Sequence, residues 1–163
     1  MIKTERLFLR KINEEDLDLI FDINNDPLCI RFNGWDSMSQ EQCKAEIDKW
    51  VNKYKDQPYT GVFCVEHLIS GEKIGMAYII EYKLPRQYEI GFRLRSSQWN
   101  NGYAKEITRG FFQYAKDLLN AQEIVAEVYT ANTRSVNIFE KLGFSSVVHP
   151  AGPDGLLFSM QVK

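Results

Sequence analysis

Residues 88–107, "YEIGFRLRSSQWNNGYAKEI", pass from an alternating strand into an amphipathic helix through a polar stretch with a single glycine, Gly102. In the first half Ile90, Phe92 and Leu94 fall on one side of an extended chain, and Glu89 and Arg93 on the other. Beyond Gly102, residues Ala104, Ile107, Phe111, Tyr114, Ala115 and Leu118 recur at intervals of three and four, which places them on one helical face. Such a helix needs a sheet to cover. Its first amides have no intrahelical partners and sit at the positive end of the macrodipole, so an anion suits them. Gly102 and the small Ala104 let a phosphate approach the backbone, and Lys105 or Arg109 would add full charge. An ordinary strand-to-helix loop eased by one glycine reads the same way, so other residues must decide.

Upstream, "TERLFLRK" (Thr4 to Lys11) alternates as a strand. Asn13 with Asp16 starts a helix over Glu14 to Asn24, which Asp26 and Pro27 end. Ser39 and Gln42 form a capping box for a second helix carrying Cys43, Ile47, Trp50, Val51 and Tyr54. Three strands follow, Thr60 to Leu68, Lys73 to Tyr82 and Gln87 to Leu94, with connections short enough for antiparallel pairing. Downstream, Glu123 to Val128 reads as a strand and Thr133 to Lys141 as a helix closed by Gly143. Phe144 to His149 and Leu156 to Gln161 read as the last strands. The helix between Leu94 and Glu123 makes a βαβ crossover, so those two strands are expected to run parallel. The expected fold is α+β, a mixed, mostly antiparallel twisted sheet flanked by helices, in one domain over 1–163.

Composition narrows the function classes. The chain has 163 residues, 44% of them hydrophobic, enough for one core. Its net charge is -2, with acidic and basic residues interspersed, so neither nucleic acid nor an anionic membrane is an expected partner. The longest apolar run, near Gly75 to Ile80, is too short to span a bilayer, and "IKTERLFLRK" directly after Met1 lacks a signal-peptide core. The expected location is cytoplasmic. The cysteines at 29, 43 and 64 form no C-x-x-C pair, and neither a disulfide framework nor a metal site is expected. A P-loop would need Gly-Lys followed by Ser or Thr, and a dinucleotide fingerprint would need three spaced glycines; neither pattern occurs.

The stretch 88–107, together with "VYTANTRSVNIFEKLGF" (residues 128–144) and the "TERLFLR" start, resembles the GNAT superfamily of N-acetyltransferases, in particular the branch acting on ribosomal-protein N-termini. The resemblance implies acetyl-CoA as co-substrate. It places the pyrophosphate on the Q/R-x-x-G-x-G/A segment, here Trp99, Asn100, Asn101, Gly102, Tyr103 and Ala104, with Lys105 adjoining. Trp99 stands where the family has Gln or Arg. The pantetheine arm would run along the backbone of Phe92, Arg93 and Leu94, beside strands that splay apart in the family, and Asn132 would touch CoA or cap its helix. The acceptor would be a primary amine, a protein N-terminus or a small molecule, and the assembly a monomer or homodimer.

The chemistry needs a base, because an ammonium has no lone pair with which to attack a thioester. The resemblance puts the base on the strand of Glu89, which is the candidate; an ion pair between Glu89 and Arg93 is the competing reading. The family's usual acid, a tyrosine in the last helix, is replaced by Phe139. Ser135 is the substitute that the ribosomal-protein branch suggests, with Tyr103 and Tyr129 as spare acids. Trp35 and Asp36, in "FNGWDS" between the first helices, are candidate acceptor-site residues. His67 and His149 have no partner motif and read as packing or surface residues.

Overall fold

The computed structural model describes residues 1–32 and 36–162. Strands β1 (Ile2–Lys3), β2 (Leu7–Lys11), β3 (Gly61–His67), β4 (Lys73–Glu81) and β5 (Gln87–Leu94) form one stretch of sheet, paired in succession and antiparallel throughout. Beyond it come β6 (Glu123–Tyr129), β7 (Ser145–Val148) and β8 (Gly155–Gln161), in the spatial order β6-β8-β7. Helices α1 (Leu17–Asn25), α2 (Pro27–Ile30) and α3 (Gln40–Lys53) lie between β2 and β3, α4 (Tyr103–Asp117) between β5 and β6, and α5 (Thr133–Lys141) between β6 and β7. As the crossover requires, β5 and β6 are parallel.

Two apolar clusters hold the layers. Under α4 and α5 lie Leu9, Phe63, Ile79, Ile90, Ile124 and Phe158 with Ile107, Phe111 and Phe139. On the other face Val62, Cys64 and Met76 pack against Leu19, Ile20 and Ile23 of α1 and Cys43 and Ile47 of α3. Each fully buried Phe, Leu or Ile contributes about 2 kcal/mol of transfer free energy, so the large buried side chains of α4 secure it to the sheet.

Four local expectations are corrected. The strand over Thr4 to Lys11 is interrupted: Thr4 and Arg6 turn out of the ladder to bind Glu106 of α4, with Thr4 Oγ1 donating at 2.6 Å and the Arg6 amide at 2.7 Å. The helix over Glu14 to Asn24 opens as a 3-10 turn, Glu14–Asp16, because the Asp16 carboxylate folds back onto the Asn13 amide, 3.0 Å away. Pro27 begins α2 as well as ending α1; its missing N–H is no loss at a first helical turn, and Asp26 caps that turn through the Leu28 amide. The last hairpin strand is shorter than expected, Ser145–Val148.

Candidate active site

The gap between β5 and β6 organises the site. Their parallel ladder has only three rungs, Gln87↔Glu123, Tyr88↔Ile124 and Glu89↔Val125. Past Glu89 the strands part: Ile90–Leu94 continues on β4 alone and Ala126–Tyr129 on β8 alone. The result is a V with Glu89 on its last rung and, at its open end, the backbone of Phe92, Arg93 and Leu94 along one side.

The start of α4 follows that open end. Gly102 has φ +82, the left-handed region, and among the described residues no side chain caps the helix. Glu106 donates its amide to the Gly102 carbonyl, so the amides of Tyr103, Ala104 and Lys105 precede the first intrahelical bond. Glu106 is itself a carboxylate in the first turn, which would repel an anion. Arg6 answers it, with Nη2 at 2.7 Å and Nε at 2.8 Å. Lys105 and Arg109 line an open groove of about 490 Å³ with Lys3, Arg6 and Gly102. An uncapped, electropositive helix start with a glycine at its entrance fits a diphosphate.

Trp99 buttresses this region from the side. Its Nε1 donates to the Leu94 carbonyl at 3.0 Å, and its ring carries the Arg134 guanidinium at 4.4 Å. The segment after β5 is thereby linked to the helix after β6. Asn132 caps α5 by accepting the Ser135 amide at 3.3 Å, so Ser135 lies in the first turn beside Arg134. Asn100 and Asn101 are exposed, and Asn101 lends its carbonyl to Arg6 at 3.1 Å. Phe139 is buried, stacked on Phe92 at 6.1 Å and on Phe158 at 5.4 Å. Its place in that cluster accounts for the apolar ring at the position of the family's usual acid.

Glu89 lies on the face that bears α1 and α3. Its Oε1 accepts the Tyr78 hydroxyl at 2.8 Å, while Arg93 on the same face donates Nη1 to Asn24 at 2.8 Å. Burial pushes the Glu89 carboxyl above the ordinary range, and the nearby Glu127 adds to the rise; the Tyr78 bond, His149 and Lys83 oppose it. Glu127 belongs to the same neighbourhood, since alternation puts it on the face of Val125, two residues past the last rung. It accepts the Tyr82 hydroxyl at 2.5 Å, and His149 Nε2 lies 3.0 Å from it, off the hydrogen-bond direction.

Most of the candidate residues are thus brought together around the V. Tyr103 departs from expectation: only its amide belongs to the helix start, because its side chain is buried between the His67 ring, 5.1 Å away, and Arg6, 4.6 Å away. That excludes its hydroxyl as a spare acid at the slot. Trp35 lies outside the described residues, and Asp36 is exposed. Tyr78, Tyr82, Glu127 and His149 around Glu89 were not anticipated. The available signal was Gly91, a glycine in mid-strand, which marks a close approach by another group.

Comparison with known proteins gives the same direction. The profile of the acetyltransferase (GNAT) domain matches residues 6–145. The uncharacterized N-acetyltransferase YoaA of Bacillus subtilis is 29% identical over 147 residues, spanning 88% of this chain and 82% of that protein. Spermidine N-acetyltransferase of Vibrio cholerae, solved with CoA and spermine, superposes with a TM-score of 0.78 at 21% identity, covering 96% of each chain. The ribosomal L7/L12 α-N-protein acetyltransferase RimL, solved with coenzyme A, superposes at 0.81 with 13% identity over 98% of this chain and 96% of its own. At those identities the two structures speak for the fold alone. With a family profile spanning most of the sequence and a split sheet facing an uncapped helix start, the chain belongs to the GNAT family and is an acetyl-CoA-dependent acetyltransferase.

Proposed function

We propose that the protein acetylates a primary amine by direct attack in a ternary complex, with the diphosphate of acetyl-CoA on the start of α4 and the amine entering on the Glu89 face of the V. The carrying observation is the three-rung ladder, which ends at Glu89 and leaves an opening between the α4 face and the α1/α3 face. Bound acetyl-CoA supplies an activated acyl carbon and a thiolate leaving group. The backbone of Phe92 to Leu94 offers an edge along which an amide-bearing arm can lie, and such recognition depends little on side chains. Glu89 takes one proton from the incoming ammonium, freeing the lone pair that forms the C–N bond. As the C–S bond breaks, the second nitrogen proton passes to the departing sulfur, which Ser135 stabilises.

The thiols support direct attack over an acetylated enzyme. Burial pushes Cys29 and Cys64 up to about 12 and also raises Cys43, so none is a ready thiolate at neutral pH.

Two carboxylates on the acceptor side, Glu89 and the exposed Glu127, favour an amine with more than one positive charge over a protein N-terminus. Thiol release from acetyl-CoA against polyamines, aminoglycosides and free-N-terminus peptides tests the reading. Polyamines should head the ranking; peptide turnover alone would restore the ribosomal-protein reading. Tight acetyl-CoA binding with no turnover across the panel would instead mean a catalytically silent CoA-binding module, the alternative that Phe139 favours.

A further inference from the structure

Gly91 stands opposite Tyr78 in the β4–β5 ladder, on the face of Glu89 and two residues beyond it. A Cβ at position 91 would come within 2.4 Å of Tyr78 Cε1 and Cζ and 2.5 Å of its hydroxyl oxygen. The phenol therefore lies down on the bare backbone of β5. Its ring packs against the apolar cluster of α1 and α3, and its hydroxyl ends 2.8 Å from Glu89 Oε1. A side chain at 91 would lift the ring off the strand and take the hydroxyl with it.

We propose that Tyr78, seated on Gly91, is a positioning residue for acetyl transfer: it holds Glu89 Oε1 so that Oε2 is presented to the acceptor at the vertex of the V. The inference rests on reading Glu89 as the base. The phenol is suited to the task because it stays protonated, as burial and the neighbouring Glu89 push it well above the usual tyrosine range. It donates to the carboxylate without competing for the substrate proton. Glu127 on β6, Lys83 beyond β4 and His149 after β7 surround Glu89, and Arg93 on β5 acts on Tyr78. All four are retained in the test, so the hydroxyl alone changes.

The test is a carbon-13 NMR titration of the Glu89 carboxyl, assigned by its loss in Glu89→Gln, in the full chain, Tyr78→Phe and Gly91→Ala. Removing a donor from a carboxylate favours the protonated form, so Tyr78→Phe should raise the midpoint by about one pH unit, the equivalent of one charge-assisted hydrogen bond. Gly91→Ala should raise it too, although the hydroxyl is still present. The acid limb of kcat/KM, followed by thiol release with the acceptor that heads the panel, should move up with the midpoint, at little change in acceptor KM. An unmoved midpoint in Tyr78→Phe overturns the positioning role and leaves Glu89 as base. A Glu89→Gln protein with full kcat/KM overturns the base reading and this inference with it.

Discussion

Two carboxylates lie against the sheet on the α1/α3 side, and the protein treats them in opposite ways. Asp16 is fully buried, yet Arg10 grips both its oxygens at 2.8 Å, Lys73 adds 2.7 Å and the Asn13 amide 3.0 Å. Burial alone would raise its carboxyl, but these donors outweigh it and bring the group down to about 2. Glu89 is half-buried, accepts the neutral Tyr78 hydroxyl and has Glu127 close by, so its carboxyl is raised. A carboxylate surrounded by cations is spent on holding β2, β4 and the 3-10 turn together. One left short of charge compensation keeps an appetite for a proton, which is what a base requires.

The largest effect that would break this contrast concerns Glu89. Glu89→Gln should lower kcat/KM by about a hundredfold or more, the usual worth of a positioned base, while the melting temperature holds or rises. Its raised carboxyl disfavours the charged form on folding at neutral pH, so an uncharged isostere costs nothing there. A variant that loses stability in proportion to activity would place Glu89 with Asp16, among the structural groups.

Asp16→Asn should do the reverse. Leaving Arg10 and Lys73 without their shared anion costs about 3 kcal/mol in urea unfolding, with kcat per folded molecule unchanged. The acid response separates the two further. Asp16 is depressed from 3.8 to about 2, so it contributes about 2 kcal/mol that is present above pH 4 and lost as pH falls through 2. That component of acid unfolding should vanish in Asp16→Asn.

At the helix start the expected changes are smaller. Gly102→Ala forces a side chain into φ +82 at a cost of about 1 kcal/mol, since its Cβ would meet only Arg6 Nη2, at 3.5 Å. Calorimetry with CoA should then show affinity reduced about twofold, the part of that strain felt by the amide cradle. Ser135→Ala removes one hydrogen bond to a leaving sulfur and should lower kcat about threefold, leaving CoA affinity as it was.

Much of the architecture was legible because its determinants are local. The α4 face, the Ser39 and Gln42 capping box and the β4–β5 hairpin follow from spacing within a few turns or strands, and all are present. The helix start at Gly102 followed in the same way. What stayed hidden depends on residues far apart. No periodicity marks where the β5–β6 ladder stops, because that depends on the pairing of two strands separated by the whole of α4. Thr4 leaves its strand for a carboxylate 102 positions away. The Tyr78–Glu89 pair needs the hairpin register as well as the alternation, and His149 reaches Glu127 only after β7 and β8 have folded back. Site chemistry is assembled from such distant pieces, whereas helices and hairpins announce themselves.

The short ladder also makes the protein a natural candidate for a two-piece reporter. Cutting in the link between Leu118 and Gln122 would separate the five-strand meander with α4 from a fragment carrying β6 to β8 and α5. The halves would have to restore the three rungs, the Trp99–Arg134 and Tyr82–Glu127 contacts and the apolar cluster that joins Phe92, Ile107 and Phe111 to Ile124 and Phe139. Because reassembly recreates the slot, thiol release would report complementation without any attached fluorophore.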